Sequence, residues 1–180
     1  MSRNNILQKD FFEQPTLVVA RDLVGKFLVR NGKKFMITEV EAYDGFGDKA
    51  SHASRGETLR NKVMFGEAGR WYVYLVYGMH NMLNIVTGPE KYPAAVLIRG
   101  VEGILGPARL TKALEIDRSM NTRKASPETG LWIEDRGVVI PENRIKRTPR
   151  VGVAYAGPEW SQKPWRFVAE SRRIAKREGF

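Results

Sequence analysis

The dipeptide Asn31-Gly32 restricts the fold more than any other feature of this sequence, because it separates two strand-like segments, 26–30 and 34–43. A two-residue turn needs positive φ at both positions, which Asn and Gly adopt readily, and it joins antiparallel neighbours. The dipeptide therefore predicts a β-hairpin near the start of the chain. Since no alternation of strands and long helices follows it, a Rossmann-type parallel sheet is disfavoured.

Short strands dominate the rest of the chain. Aromatic and β-branched residues fill 71–77, the pattern resumes at 81–87 after Gly78, and 94–101 is apolar. These three segments predict an antiparallel meander. Further short strands are predicted at 131–133, 138–140, 151–155 and 166–169.

Helices are few in this pattern. Apolar spacing predicts a short amphipathic helix at 15–24, Gly106-Pro107 opens a second one, and a charged helical tail ends the chain. Residues 44–70 predict a long ordered loop with one short helix, and 117–130 a surface loop. We therefore predict an α+β fold with one domain over residues 1–180. Its curved, largely antiparallel, barrel-like sheet would carry a few peripheral helices.

Composition indicates the class of partner. The 180 residues are 42% apolar, enough for a single core, and their net charge of +10 favours nucleic acid as a polyanionic partner. The chain has no cysteine, and the spacing of its only histidines, His52 and His80, fits no metal motif, so we expect no protein-bound metal. Without a long apolar run or a signal segment, we expect a soluble intracellular protein, cytoplasmic and associated with the nucleoid if bacterial.

The second strand of the predicted hairpin carries two carboxylates. Strand alternation puts one set of side chains on the other face, namely Met36, Thr38, Val40 and Ala42. The face of interest would carry Phe35, Ile37, Glu39, Glu41 and Tyr43. Such carboxylates usually line the solvated half of an edge strand, so a catalytic role needs further residues beside them.

The segment YVYLVYGMH (72–80) supplies aromatic residues. Alternation projects Tyr72 and Tyr74 to one side and leaves Tyr77 just before a glycine turn. An exposed aromatic side chain at a hairpin tip can enter a base step and fill the gap left by an extruded nucleotide. The alternative is a strand whose aromatic rings belong to the core.

Motifs follow one another in a fixed order along most of the chain: EVEAY (39–43), SHASRG (51–56), RN (60–61), MF (64–65), YVYLVYGMH (72–80), MLNI (82–85), AVLIR (95–99), GPARL (106–110), RVGV (150–153) and KPWRF (163–167). In this order they resemble the alkyladenine (3-methyladenine) DNA glycosylase family, and only 117–148 is poorly covered. The resemblance implies a monomeric DNA-repair enzyme without a cofactor. It would flip alkylated purines out of double-stranded DNA and excise them, leaving an abasic site.

The resemblance also implies residue roles. Glu41 would be the general base that activates water, and Arg99 would help to orient that water. The side chains that would clasp or enclose the flipped base are Tyr43, His52, Tyr72, Tyr74, Asn84 and Leu97. The DNA contacts would be Tyr77, as the intercalating wedge, Met79 and His80. At His80 many relatives carry an aromatic residue, so the family pattern does not define its contact.

Two other interpretations stay open at this point. The basic charge also fits a noncatalytic nucleic-acid-binding module, similar in barrel shape to the C-terminal domain of methionyl-tRNA formyltransferase. Glu39 and Glu41 beside aromatic residues also fit a hydrolase of free nucleosides. The binding module would release no base, and the nucleoside hydrolase would respond little to salt.

Overall fold

The computed structural model describes residues 5–170. The strands are β1 (Phe27–Arg30), β2 (Lys33–Asp44), β3 (Trp71–Val76), β4 (His80–Val86), β5 (Ala94–Val101), β6 (Ile104–Leu105), β7 (Leu131–Glu134), β8 (Ile145–Thr148) and β9 (Arg166–Ala169). The α-helices are α1 (Lys9–Phe12), α2 (Thr16–Leu23), α3 (Pro107–Ala113) and α4 (Gly157–Ser161). Single 3₁₀ turns complete the connections, two of them within the 44–70 loop at His52–Arg55 and Lys62–Phe65.

The long strand β2 lies at the centre of one curled antiparallel sheet. The strand order is β3-β4-β5-β2-β1-β7, with β6 paired to β5 and the β8–β9 pair attached to β2. The start of β2 pairs with β1, whereas its second half pairs with β5 along one edge and with β9 along the other. The sheet therefore closes partway round as a half-barrel, and the predicted α+β fold with a curved antiparallel sheet is confirmed.

The hydrophobic core fills one side of this sheet. The helix α2 buries Val19, Ala20 and Leu23 against it, and Leu110 from α3 joins the same cluster. Complete burial of a side chain such as Leu23 stabilises the fold by roughly 1.5–3 kcal/mol. Alternate residues of each strand face this core, for example Val40 and Ala42 of β2. The side chains between them, such as that of Glu41, face the opposite side of the sheet.

Two irregularities in the β2–β5 ladder decide which side chains share the opposite side. The pairing shifts between Ile37 and Glu39, and again between Glu39 and Val40. As a result Ile37 belongs to the core with Val40 and Ala42. The predicted face that joined Phe35 and Ile37 to Glu39, Glu41 and Tyr43 is therefore wrong, because an extra residue in a strand reverses the alternation beyond it.

Most of the predicted elements are confirmed, namely the Asn31-Gly32 hairpin, the β3–β5 meander, the helices α2 and α3, and the strands at 131–133 and 166–169. The strand predicted at 138–140 is wrong, since this stretch pairs with no strand among the described residues and the carbonyl of Ile140 accepts a hydrogen bond from the Arg21 side chain. The strand predicted at 151–155 is a turn around Gly152, whose φ is 74°. The predicted helical tail lies outside the described residues.

Within residues 5–170 there is no helix long and apolar enough to cross a membrane.

Candidate active site

Glu41 is buried on the side of the sheet opposite the core. The side chain is 0% exposed, and both carboxylate oxygens accept hydrogen bonds. The backbone N–H of Val151 donates to Oε1 at 2.7 Å, and the hydroxyl of Tyr43 donates to Oε2 at 2.9 Å. An ionised carboxylate is thus held in one orientation by two donors from different parts of the chain.

The environment of Glu41 makes its carboxylate a stronger base than an ordinary one. Burial raises the pKa of Glu41, and this effect exceeds the opposing effects of the Arg99 charge and of the bonds from Val151 and Tyr43. Burial, followed by the nearby Glu41 charge, also raises the pKa of Tyr43 well above its ordinary value, so the Tyr43 hydroxyl stays protonated and donates a hydrogen bond to Glu41. A carboxylate with a raised pKa is suited to accept a proton from water.

Arg99 is shared between the two carboxylates of β2. Its Nε lies 2.8 Å from Oε1 of Glu39 and 3.5 Å from Oε1 of Glu41. Glu39 also accepts a hydrogen bond from Nε of Arg166 at 2.7 Å. Burial would raise the pKa of Glu39, but the bonds from Arg166 and Arg99 outweigh it and hold that pKa below its ordinary value. Glu39 therefore stays ionised as the partner of two arginines.

An aromatic cluster lies beside Glu41. The ring centroids of His52 and Tyr74 are 4.7 Å apart, and those of Tyr72 and Tyr74 are 5.0 Å apart. The guanidinium of Arg60 lies 5.1 Å from the Tyr74 ring centroid and donates to the carbonyl of Leu75 at 2.8 Å. Burial raises the pKa of Tyr72 to about 12 and raises that of Tyr74 further, so both rings remain neutral phenols.

His52 joins this cluster through its 3₁₀ turn. Its Nδ1 and the Tyr72 hydroxyl share a hydrogen bond of 3.1 Å, and its carbonyl accepts from the side chain of Asn61. Burial and then the charge of Arg60 lower the pKa of His52. A neutral imidazole at this position can both stack on a base and exchange a hydrogen bond with it.

A small cavity opens between these rings. Its lining consists of Tyr43, Ala50, Ser51, His52, Met64, Tyr72, Tyr74, Asn84, Ala95 and Tyr155. The volume is about 50 Å³, whereas pockets for small ligands start at roughly 300 Å³. The cavity is therefore smaller than a typical ligand pocket, and it adjoins an open groove of about 830 Å³ that shares Ser51, His52 and Tyr155.

Asn84 and Leu97 lie on the same side of the sheet as Glu41. Leu97 pairs directly with Glu41 on one side and with Asn84 on the other. The Asn84 side chain is buried and donates to the carbonyls of Tyr72 and Met82. These two hydrogen bonds fix the orientation of the Asn84 amide at the cavity wall. Leu97 lies between Glu41 and Asn84 on this face of the sheet.

The β3–β4 hairpin ends in a solvent-exposed tip. Tyr77 is 88% exposed and Met79 69% exposed, and His80 is exposed as well. The φ of Tyr77 is 51°, a conformation that costs a bulky residue on the order of 1–3 kcal/mol. The strain lies in the backbone of the hairpin turn, and the exposed ring of Tyr77 gains little packing against the chain to offset it.

The structure thus brings most of the predicted site residues together, but it also adds some that the sequence reasoning missed. Tyr155 lines the cavity, Val151 binds Glu41, and Arg150 lies behind Tyr43 with its guanidinium 4.8 Å from that ring centroid. Arg150 and Val151 belong to the motif RVGV (150–153), but Val151 acts through its backbone N–H, which the type of side chain does not reveal. Across residues 5–170, no group of three His, Cys, Asp or Glu side chains is placed to hold a metal ion.

Comparison with known proteins identifies the family of this chain. The sequence profile of the methylpurine-DNA glycosylase family matches residues 10–106 and 102–173. A relative in Methanocella arvoryzae, provisionally named 3-methyladenine DNA glycosylase, is 45% identical over 186 residues, which cover 90% of this chain and 91% of the relative.

Two further relatives carry the same provisional name. The one in Myxococcus xanthus is 43% identical over 186 residues, covering 96% of this chain and 94% of its own length. The one in Prosthecochloris aestuarii is 46% identical over 193 residues, covering 93% and 90%. Since profile and relatives span nearly all of the chain, it belongs to the methylpurine-DNA glycosylase family, whose members are DNA-repair hydrolases that cleave N-glycosyl bonds.

Proposed function

We propose that this enzyme flips alkylated purines out of double-stranded DNA and cleaves their N-glycosidic bonds with a water directed by Glu41. The observation that carries the proposal is the buried Glu41 carboxylate, which two donors orient beside an aromatic cavity. The substrates would be 3-methyladenine and 7-methylguanine. Family membership makes the chain an enzyme, so a noncatalytic binding module is no longer an alternative.

The reaction needs one base and one charge stabiliser. As the bond between C1′ and the purine nitrogen breaks, its electron pair goes to the purine and the sugar acquires oxocarbenium character. The water oxygen bonds to C1′ and its proton passes to Glu41. Before that transfer the negative carboxylate also stabilises the positive sugar, and Arg99, 3.5 Å from Glu41, helps to orient the water.

One carboxylate is sufficient for this substrate class. Ordinary glycosidases need a second carboxylic acid because their leaving group must be protonated. A purine alkylated at N3 or N7 is already cationic and leaves as a neutral base. Glu39 could not supply a proton readily, because Arg166 and Arg99 lower its pKa. The arrangement therefore favours leaving groups that arrive with a positive charge.

The aromatic cluster would select the same substrates. Electron-rich rings such as Tyr43 and Tyr74 attract a cationic base by about 0.5–2 kcal/mol more than a neutral one. Asn84, held at the cavity wall by its bonds to backbone carbonyls, would penalise the amino group of an ordinary guanine. Neutral lesions such as hypoxanthine and ethenoadenine would depend on hydrogen bonds from His52 or a backbone amide.

Base flipping would use the hairpin tip. The exposed Tyr77 ring would occupy the space that the extruded nucleotide leaves, with Met79 and His80 against the neighbouring bases. Entry of the base would separate the rings that now enclose only 50 Å³. We further propose that the enzyme works as a monomer within the cell, at the nucleoid if bacterial, and that it leaves an abasic site without cutting the strand.

The proposal can be tested with duplexes that each carry one lesion. Release of the free base, with the strand intact until alkali cleaves it at the abasic site, is the expected result for 3-methyladenine and 7-methylguanine. Free nucleosides with the same bases serve as the control and should not be cleaved. Cleavage of nucleosides as fast as of duplexes would instead favour a nucleoside hydrolase, and strand cutting without alkali would contradict the monofunctional mechanism.

A further inference from the structure

We propose that Arg150 and Asp48 form a positioning pair that holds Glu41 and Tyr43 in their reactive arrangement. Neither residue reaches the cavity, so the pair would act through the groups that it fixes. The inference rests on the proposed role of Glu41 as the base, and it concerns how that base is oriented.

Arg150 is a buried cation that donates hydrogen bonds through Nη1 and Nη2, while its Nε has no hydrogen-bond partner among the described residues. Its side chain is 0% exposed, and Nη1 and Nη2 bond to the two carboxylate oxygens of Asp48 at 2.6 and 2.9 Å. Nη1 also donates to the carbonyl of Ala42 at 2.8 Å, between Glu41 and Tyr43 in the chain. The guanidinium carbon lies 4.8 Å from the Tyr43 ring centroid and 5.0 Å from that of Trp165.

Asp48 connects this cation to the loop that carries His52. Its carboxylate accepts from the backbone N–H of Asp44 at 3.1 Å and from that of Ala50 at 3.0 Å. Four hydrogen bonds thus converge on one carboxylate, and they fix the start of the loop relative to the end of β2. The pair therefore joins three segments that each bring a group to the site.

The contact with Glu41 follows from the position of Arg150 in the chain. The next residue, Val151, directs its N–H at Oε1 of Glu41 over 2.7 Å. Since Arg150 is bonded to Ala42 on one side and continues into Val151 on the other, it sets the distance between that amide and the carboxylate. Its planar, bidentate contacts fix both orientation and distance, which a lysine could not reproduce.

Two simpler explanations of the pair are less satisfactory. A contact with DNA phosphates is excluded by the complete burial of the Arg150 side chain. A purely stabilising role is a weak explanation for a buried ion pair, because apolar residues of similar volume often serve the fold as well. Arg150 contacts Ala42 and Tyr43 directly and is followed in the chain by Val151, which binds Glu41, and this arrangement points to positioning instead.

The test uses two variants and reads the rate of the chemical step directly. Arg150→Lys keeps the charge but loses the bidentate geometry, whereas Arg150→Gln combined with Asp48→Asn removes both charges and leaves no buried ion unpaired. Single-turnover base release is measured with enzyme in excess across a pH series. Thermal unfolding reports the stability of each protein, and the matched control replaces another ion pair, Lys26→Gln with Asp135→Asn.

The pH series distinguishes positioning from general damage. Burial raises the pKa of Glu41, and the hydrogen bonds from Val151 and Tyr43 oppose that rise, so loss of their alignment in either variant should raise the pKa further. The charges of Arg150 and Asp48 are opposite and adjacent, so their joint removal changes the potential at Glu41 little. Other charged or titratable groups facing Glu41 are Arg99 from β5, Tyr74 from β3, Tyr155 from the C-terminal segment and Tyr43 from its own strand. None of these residues is replaced in either variant.

We expect the plateau rate to fall roughly tenfold to 100-fold in both variants. The acid limb of the profile should move up by roughly one pH unit in both variants, because the misplaced Val151 and Tyr43 donors no longer stabilise the ionised Glu41 carboxylate. Binding of undamaged duplex should not change. An unchanged plateau rate or an unmoved acid limb in either variant overturns the inference. If Glu41 is not the base, Glu41→Gln will retain turnover, which separates that failure from this one.

Discussion

Removal of the Tyr43 hydroxyl gives a measurable prediction about the ionisation of Glu41. In Tyr43→Phe the ring remains, but the 2.9 Å hydrogen bond to Oε2 of Glu41 is lost. A hydrogen bond to a charged group is worth about 1.5–3 kcal/mol, and one pKa unit corresponds to about 1.4 kcal/mol. Because the bond stabilises only the ionised carboxylate, its loss should raise the pKa of Glu41 by roughly one to two units.

The assay is single-turnover release of 7-methylguanine from a duplex as a function of pH. Glu41 acts as a base only when it is ionised, so activity is lost as pH falls through its pKa. The acid limb in Tyr43→Phe should therefore lie about one to two pH units above that of the wild type. At high pH, where Glu41 is ionised in both proteins, the two rates should approach each other.

Tyr74→Phe is the matched control for this experiment. It removes a hydroxyl from the same cavity, and within residues 5–170 that hydroxyl forms no hydrogen bond with Glu41. Its acid limb should coincide with that of the wild type. The reasoning is refuted if Tyr43→Phe leaves the limb in place, or if Tyr74→Phe moves it by the same amount.

The remaining predictions concern the wedge, the buried charge and the partner. Tyr77→Ala should weaken binding of lesion-containing duplex more than binding of undamaged duplex in fluorescence titrations, and equal losses would argue against intercalation. Burial raises the folded-state pKa of Glu41 above the unfolded value of about 4.3. The wild type should therefore lose thermal stability relative to Glu41→Gln as pH rises through the folded-state value, and a difference independent of pH would count against this. Duplex affinity should fall by roughly 10³–10⁵ between 50 and 200 mM salt if about 6–10 phosphates are contacted, and a flat response would contradict duplex binding.

Local sequence signals predicted the elements that depend on neighbouring residues. Asn31 and Gly32 adopt φ values of 52° and 73°, as the two-residue turn requires. The β3–β5 meander and the helices α2 and α3 were also predictable, because the spacing of apolar residues within each segment determines which face is buried. By contrast, β8 carries the exposed residues Lys146 and Arg147, so it shows no apolar alternation and was not predicted.

The sequence predicted which side chains form the site, but not the strand bulge or the long-range hydrogen bonds that hold them in place. Resemblance to the family singled out Glu41 and its aromatic neighbours, and the structure places them on one side of the sheet. The bulge that separates Ile37 from Glu39 leaves no mark in the alternation of residue types. The Arg150–Asp48 pair joins residues 102 positions apart in the chain, which no local pattern reveals.

Single-turnover base release by Glu41→Gln tests the central claim most directly. The amide can still accept from Val151 and meet the Tyr43 hydroxyl, so the variant should fold and bind lesion-containing duplex, but it cannot take a proton from water. The account predicts that release of 3-methyladenine, corrected for the spontaneous rate, becomes undetectable while duplex binding persists. Glu102→Gln, which changes an exposed carboxylate, should release the base at the wild-type rate. Release by Glu41→Gln at a rate close to that of the wild type would contradict the assignment of Glu41 as the base.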